Sequence, residues 1–396
     1  MKYNLSEKTL KIAPSLTLEI SAMAAALKSK GVNVIGFGVG EPDFETPENI
    51  KNAAIEAINQ GQTRYTPTAG MPELRKAVCE KFKRDNGLDY EPENIVVSSG
   101  AKQSLSNAFT AILNPGDEVI IASPYWVSYP ESVKLAGGVP VIVETAEENG
   151  FKFDIDDLKN AVNEKTKAII LNSPGNPTGT VYSEEELKAI AEVAVENNIF
   201  VVSDEIYEKL IYDGKHVSIA SFGDEIKDLT IVVNGMSKAY AMTGWRIGFT
   251  ASNKEIAKLM SNIQGHITSN PNSIAQYASI EGLRGDQSTV ESMREEFEKR
   301  KNYACERVNE IKGLSCIKPK GAFYIMINIS EYLGKTVQGM EIKDSLDFTK
   351  LVLEKGNVAV VPGIAFGSDK FVRLSYATSM ENIKEGLNRI EQVLTA

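Results

Sequence analysis

Lys238 stands just after the apolar run TIVVNGMS, and Asp204 closes the apolar run IFVVS upstream of it. Arg246 follows eight residues beyond the lysine, in KAYAMTGWR. An amine in a partly buried, cation-rich setting loses proton affinity and becomes a nucleophile able to condense with an aldehyde. A carboxylate at the end of a buried strand can hold a protonated ring nitrogen. A guanidinium can grip a phosphate. A lone lysine is most often a solvated surface charge, so the weight rests on its setting. TIVVNGMS is too apolar for a surface loop, and Gly235 and Gly244 permit tight turns.

Pyridoxal phosphate (PLP), an aldehyde on a phosphorylated pyridine, would meet all three demands. Other residues fit around it, each with a plainer alternative. Asp204 would keep the pyridine nitrogen protonated, or it would cap a helix EIYEKL. Tyr207, three residues on, would bond the ring oxygen O3′, or pack as a core tyrosine. Asn176, in the turn-forming NSPGNPTG, would share that oxygen, or sit in a plain loop. SSGAKQSLSNAFTAIL reads as a turn opening a helix, whose first N–H groups suit a phosphate. Tyr125, in SPYWVSYP, would stack on the ring, or pack as an ordinary aromatic. Arg373 interrupts the apolar strand FVRLSYA and needs a carboxylate partner, from protein or substrate. Ser99 to Lys102 matches S-x-x-K, but S-D-N and K-T-G are missing from the chain. GFGVG does not complete a dinucleotide fingerprint.

Bulk composition narrows the function classes. A net charge of −10, with no run of five like charges, disfavours nucleic acid and anionic membranes as partners. No apolar stretch reaches transmembrane length, and the N-terminus lacks the apolar core of a secretory signal. Cys79, Cys305 and Cys316 show no C-x-x-C spacing, which suits reduced thiols in a cytoplasm. His216 and His266 are the only histidines, too few for a His-rich metal site; no metal is expected. Proton transfer must fall on Lys, Asp, Glu, Tyr or a cofactor.

The elements that must position these residues follow from periodicity. Seven short β-rich runs, from NIVVSSG to RIGFTAS, alternate in many places with helical patterns such as SEEELKAIAEVAVENN. The pattern predicts an α/β fold with a mainly parallel sheet and active residues at the strands' carboxyl ends. Ser98, Asn172, Asp204 and Lys238 all fall just after such runs. Long polar helices then lead to GAFYIMINI, NVAVVPG, FVRLSYA and a final helix. A large domain over 46–285 is expected, with a smaller α+β domain built from 1–45 and 286–396.

Together these motifs resemble the class I aminotransferases of PLP fold type I. SKAYAMTGWRIGF looks like the family's lysine signature. NPTG, DEIY and RLSYA match in order, and YTPTAGMPELR and VVPGIAFG extend the likeness across almost the whole chain. The resemblance implies a seven-stranded large-domain sheet and an aldimine on Lys238, which then shuttles the proton. It implies Asp204 at the ring nitrogen and Tyr207 and Asn176 at O3′. Gly100, Ala101, Ser237 and Arg246 would bind phosphate, with Lys102 beside them. Tyr125 would stack on the ring. Tyr65 would reach the phosphate of a neighbouring subunit in a homodimer. Arg373 would bind the substrate α-carboxylate, next to Gly40.

The APSLT and GAKQ segments are similar to those of the bacterial and archaeal aspartate aminotransferase branch. That likeness implies Lys102, Ser15 and Thr17 as the grip on a distal carboxylate, though Lys102 also reads as a solvated helix lysine. The implied reaction is ping-pong transamination of L-aspartate and 2-oxoglutarate to oxaloacetate and L-glutamate. Alternatives are an aromatic, alanine or prephenate aminotransferase, or a C–S lyase. Relatives that use prephenate carry a basic residue before the Pro-Ser, where this chain has Ala13, and this lowers the expectation of prephenate activity. A PLP-sensing regulator would need an added DNA-binding domain, and no basic winged-helix-like stretch is seen.

Overall fold

The computed structural model describes residues 5–10, 12–14 and 16–395. All seven β-rich runs become strands of one sheet. They are β1 (Ile95–Ser98), β2 (Glu118–Ser123), β3 (Val139–Glu144), β4 (Thr166–Asn172), β5 (Phe200–Asp204), β6 (Thr230–Gly235) and β7 (Gly248–Ala251). Their spatial order is β1-β7-β6-β5-β4-β2-β3. The β2–β6 pairs are parallel; β7 alone runs antiparallel to both its neighbours, β1 and β6.

The runs are continuously apolar because both sheet faces are covered. Val119, Ile121, Ile170, Val202 and Val233 pack on one face with Leu105, Ala108 and Phe109 of helix α1 (Ala101–Ile112). Ile120, Ile169, Leu171 and Val201 point the other way, as strand alternation requires. They meet Leu187, Ile190 and Ala194 of helix α2 (Glu184–Glu196). A capping box starts α2: Ser183 N donates to Glu186 Oε2 at 2.7 Å, and Glu186 N donates to Ser183 Oγ at 3.3 Å.

The polar helix α3 (Ser288–Glu310) leads to a three-stranded antiparallel sheet. Its strands are β8 (Tyr324–Asn328), β9 (Val361–Pro362) and β10 (Phe371–Ser375), in the order β9-β10-β8. Ile35 and Phe37 join the core of this C-terminal half, and Ile35–Gly36 pairs in parallel with Val358–Ala359. The N-terminal segment is thus tied to the C-terminal sheet, which aims Gly38–Gly40 across the ends of the large sheet. No helix among the described residues is long and apolar enough to cross a membrane.

Candidate active site

A cavity of 520 Å³ opens at the carboxyl ends of the parallel strands, between the two sheets. Asn172 ends β4 and Asp204 ends β5, and the two are register partners. Lys238 follows β6, and Arg373 reaches in from β10. All four line the cavity. Strand ends suit such groups because the carboxylates and amines sit on rigid backbone while the strand side chains stay packed.

Asp204 is 4% exposed. Burial pushes its carboxyl up to about 6, against the pull of a hydrogen bond from Tyr129. The Tyr129 hydroxyl donates to Oδ2 at 2.8 Å and the Ile206 amide donates to Oδ1 at 3.2 Å. The helix read from EIYEKL does not form: these residues make turns, and Asp204 caps its own chain two residues on. Tyr207 still lines the same cavity.

Burial draws the Lys238 amine down to about 8. Arg373 and Arg246 push in the same direction, while Glu41 and Asp204 oppose them. Nζ donates to the Gly40 carbonyl at 2.6 Å. The Glu41 carboxylate is fixed by Thr243 Oγ1 at 2.7 Å.

At one end of the cavity Ala101, Lys102, Ser237 and Arg246 gather around the start of α1. Gly100 precedes the helix at φ 87°, and a Cβ there would overlap the Arg246 guanidinium. Arg246 itself sits at φ 59°, ψ 54°, a left-handed backbone that a non-glycine residue adopts at a cost. That turn brings its guanidinium to Thr243 O at 2.9 Å and Ser99 O at 3.4 Å. A helix start flanked by an arginine is an anion cradle.

Arg373 is buried at the other end. Nη1 donates to Asn176 Oδ1 at 2.9 Å and Nη2 to the Gly38 carbonyl at 2.8 Å, while buried Nε has no partner among the described residues. Its guanidinium lies 4.5 Å from the Tyr324 ring centre and 4.9 Å from that of Phe366. A buried cation with an orphan donor and no carboxylate partner among the described residues is built to receive an anion. The donor set therefore fits a phosphorylated pyridine aldehyde with a carboxylate-bearing substrate beside it. The Lys238 amine has a lowered proton affinity, the Asp204 carboxylate ends the neighbouring strand, an anion cradle stands at one end of the cavity and a guanidinium at the other.

Three expectations need correction or limits. Tyr125 does not line the cavity: its ring packs on Gly367 and its amide donates to Phe366 O at 3.0 Å. Trp126 takes the lining place, with Lys102 Nζ 4.9 Å from its ring centre. Two adjacent aromatics in SPYWVSYP offered no means of telling them apart. Tyr65 is 91% exposed and lines no part of this cavity. Thr17 and Gly40 line it; Ser15 lies outside the described residues.

Sequence reasoning did not single out Tyr129, Trp126, Glu41 or Tyr324. Tyr129 sits on a short helix, Ser128–Leu135, whose first turn carries it under Asp204. Tyr324 looked like one more apolar member of GAFYIMINI. Elsewhere, Glu205, Glu208 and His216 cluster closely enough to suggest metal ligands. Their oxygens are already engaged: Glu205 by Ser203, Ser218 and His216, and Glu208 by Lys81 and Asn86.

Residues 32–390 match the aminotransferase class I and II family. The chain is 52% identical to the aspartate aminotransferase of Bacillus subtilis (strain 168), over 98% of each chain. It is 47% identical to the aspartate/prephenate aminotransferase of Cereibacter sphaeroides, again over 98% of each. Among solved structures, the Thermus thermophilus aspartate aminotransferase with maleate superposes with a TM-score of 0.94 at 45% identity, covering 99% of this chain and all of that one. With this fold, this cavity and these likenesses over nearly its full length, the chain belongs to the aminotransferase class I and II family.

Proposed function

We propose that this protein is a PLP-dependent aspartate aminotransferase, exchanging the amino group between L-aspartate and 2-oxoglutarate. The observation that carries the reading is the meeting of Lys238, Asp204, Arg246 and Arg373 around one cavity. The likeness to enzymes named for aspartate, one of them solved with the dicarboxylate maleate, supports the substrate class.

PLP, when bound, would supply the electrophilic aldehyde and the electron sink for Cα–H cleavage. Lys238 would hold it covalently until the substrate amine displaces it, and the freed Lys238 amine would then move the proton at the substrate Cα. Its lowered proton affinity leaves a useful neutral fraction near pH 7. Asp204 would pair with the ring N–H, which favours its ionised form. Tyr207 and the amide nitrogen of Asn176 would donate to the ring oxygen. Gly100, Ala101, Ser237 and Arg246 would hold the phosphate, and Trp126 would cover the ring. Arg373, with Gly40 beside it, would take the α-carboxylate. Lys102 and Thr17 would take the distal carboxylate, with Ser15 as a third contact.

Tyr65, exposed on the single chain, supports a homodimer in which it completes the partner's phosphate site. The domain division at 46–285 against 1–45 and 286–396 belongs to this proposal, as does a cytoplasmic location, supported by three free thiols. Turnover assays across amino-acid donors, with 2-oxoglutarate as acceptor, test the reading. Oxaloacetate formation from aspartate, outpacing reactions of aromatic amino acids and alanine, is expected. Equal rates for all donors would favour a broad-specificity enzyme, and prephenate turnover would widen the acceptor range.

A further inference from the structure

Tyr324 opens β8 and is 1% exposed. It pairs with Ser375 across the small sheet, while Arg373 pairs with Met326. Tyr324 and Arg373 are therefore diagonal neighbours on one sheet face. The ring lies 4.5 Å from the Arg373 guanidinium carbon. The hydroxyl shares a hydrogen bond of 2.8 Å with the Tyr207 hydroxyl. A Cβ on Gly40 would come within 2.7 Å of that same hydroxyl. Gly40 in turn receives the Lys238 amine. One buried side chain thus touches the residues proposed for the ring oxygen and for the substrate carboxylate.

Proton counting fixes the direction of the tyrosine pair. A phenol has one proton to donate. If Tyr207 gives its proton to the anionic ring oxygen, it must accept from Tyr324. We infer that Tyr324 is a positioning residue: its hydroxyl donates to Tyr207, aims the Tyr207 proton at the cofactor oxygen, and its ring holds Arg373 flat for the carboxylate. This rests on the aminotransferase reading above. The donated bond polarises Tyr207 and makes it a stronger donor to the ring oxygen. A stronger hydrogen bond from Tyr207 to the ring oxygen would lower the pH midpoint of the bound cofactor's absorbance. The other charged groups facing the pair are Asp204 and Arg373, with the Lys238 amine 5.9 Å from the Tyr207 ring centre.

The test uses cofactor-loaded wild type, Tyr324→Phe and Tyr324→Leu, and the pH midpoint of the cofactor's visible absorbance. Tyr324→Phe keeps the ring and should raise the midpoint by about 0.3–1 unit, with kcat down about 3–10-fold and KM for aspartate within about twofold. Tyr324→Leu should in addition weaken succinate, a non-reacting dicarboxylate, by about fivefold or more, because Arg373 loses its ring. Tyr207→Phe and the double variant close a cycle, and a non-additive midpoint shift is expected. An unchanged midpoint in Tyr324→Phe, or additive shifts, would overturn the inference even with wild type behaving normally. A wild type showing no lysine-linked absorbance band at all would instead sink the aminotransferase reading, and this inference with it.

Discussion

The Tyr129 hydroxyl donates to Asp204 Oδ2 at 2.8 Å, and both side chains are buried. This bond offsets part of the cost of keeping a carboxylate away from water. Removing it in Tyr129→Phe leaves Asp204 easier to protonate. A charge-assisted bond of this kind contributes about 1.5–3 kcal/mol. PLP affinity should fall about tenfold or more, with a parallel loss in kcat, as read by equilibrium absorbance titration and turnover.

Asp204 also carries a stability cost that the apo protein should reveal. Its folded carboxyl titrates near 6, above an ordinary aspartate, chiefly through burial. The unfolded chain therefore binds fewer protons between about 4 and 6, and this residue's contribution to stability falls as pH rises through that window. Above it the penalty stays constant. Asp204→Asn should stabilise the apo protein at pH 7 by about 1–3 kcal/mol and by nothing near pH 4, while abolishing transamination. Denaturant melts at both pH values check the sign.

Lys102 lines the cavity beside Trp126, and burial together with Arg246 lowers its proton affinity. A substrate carboxylate would favour its charged form. Lys102→Ala should raise KM for aspartate and 2-oxoglutarate about 10–100-fold while leaving aromatic and alanine donors nearly unchanged. An equal loss for every donor, measured as kcat/KM, would remove the distal-carboxylate role.

The sheet and the residues at its strand ends were legible because their signals are local. Continuous apolar runs such as KAIILN and IFVVSD end on Asn172 and Asp204, and both residues line the cavity. Lys238 and Arg373 stood out because cations are costly in apolar settings, and Arg246 because it follows the lysine by eight residues. What stayed hidden depends on distant pairing. Tyr324 meets Tyr207 only because two sheets abut, and its hydroxyl is invisible within an apolar strand. Tyr125 and Trp126 are adjacent, and only the turn that opens the next helix decides which ring faces the cavity. The supposed helix at EIYEKL failed because Asp204 bonds its own chain two residues on, which favours a turn.

The most direct test asks which amine holds the cofactor. Borohydride reduction of the PLP-loaded protein, followed by peptide mapping, should place a single pyridoxyl group on Lys238. A label on another lysine, or none at all in protein that still transaminates aspartate, would contradict the account.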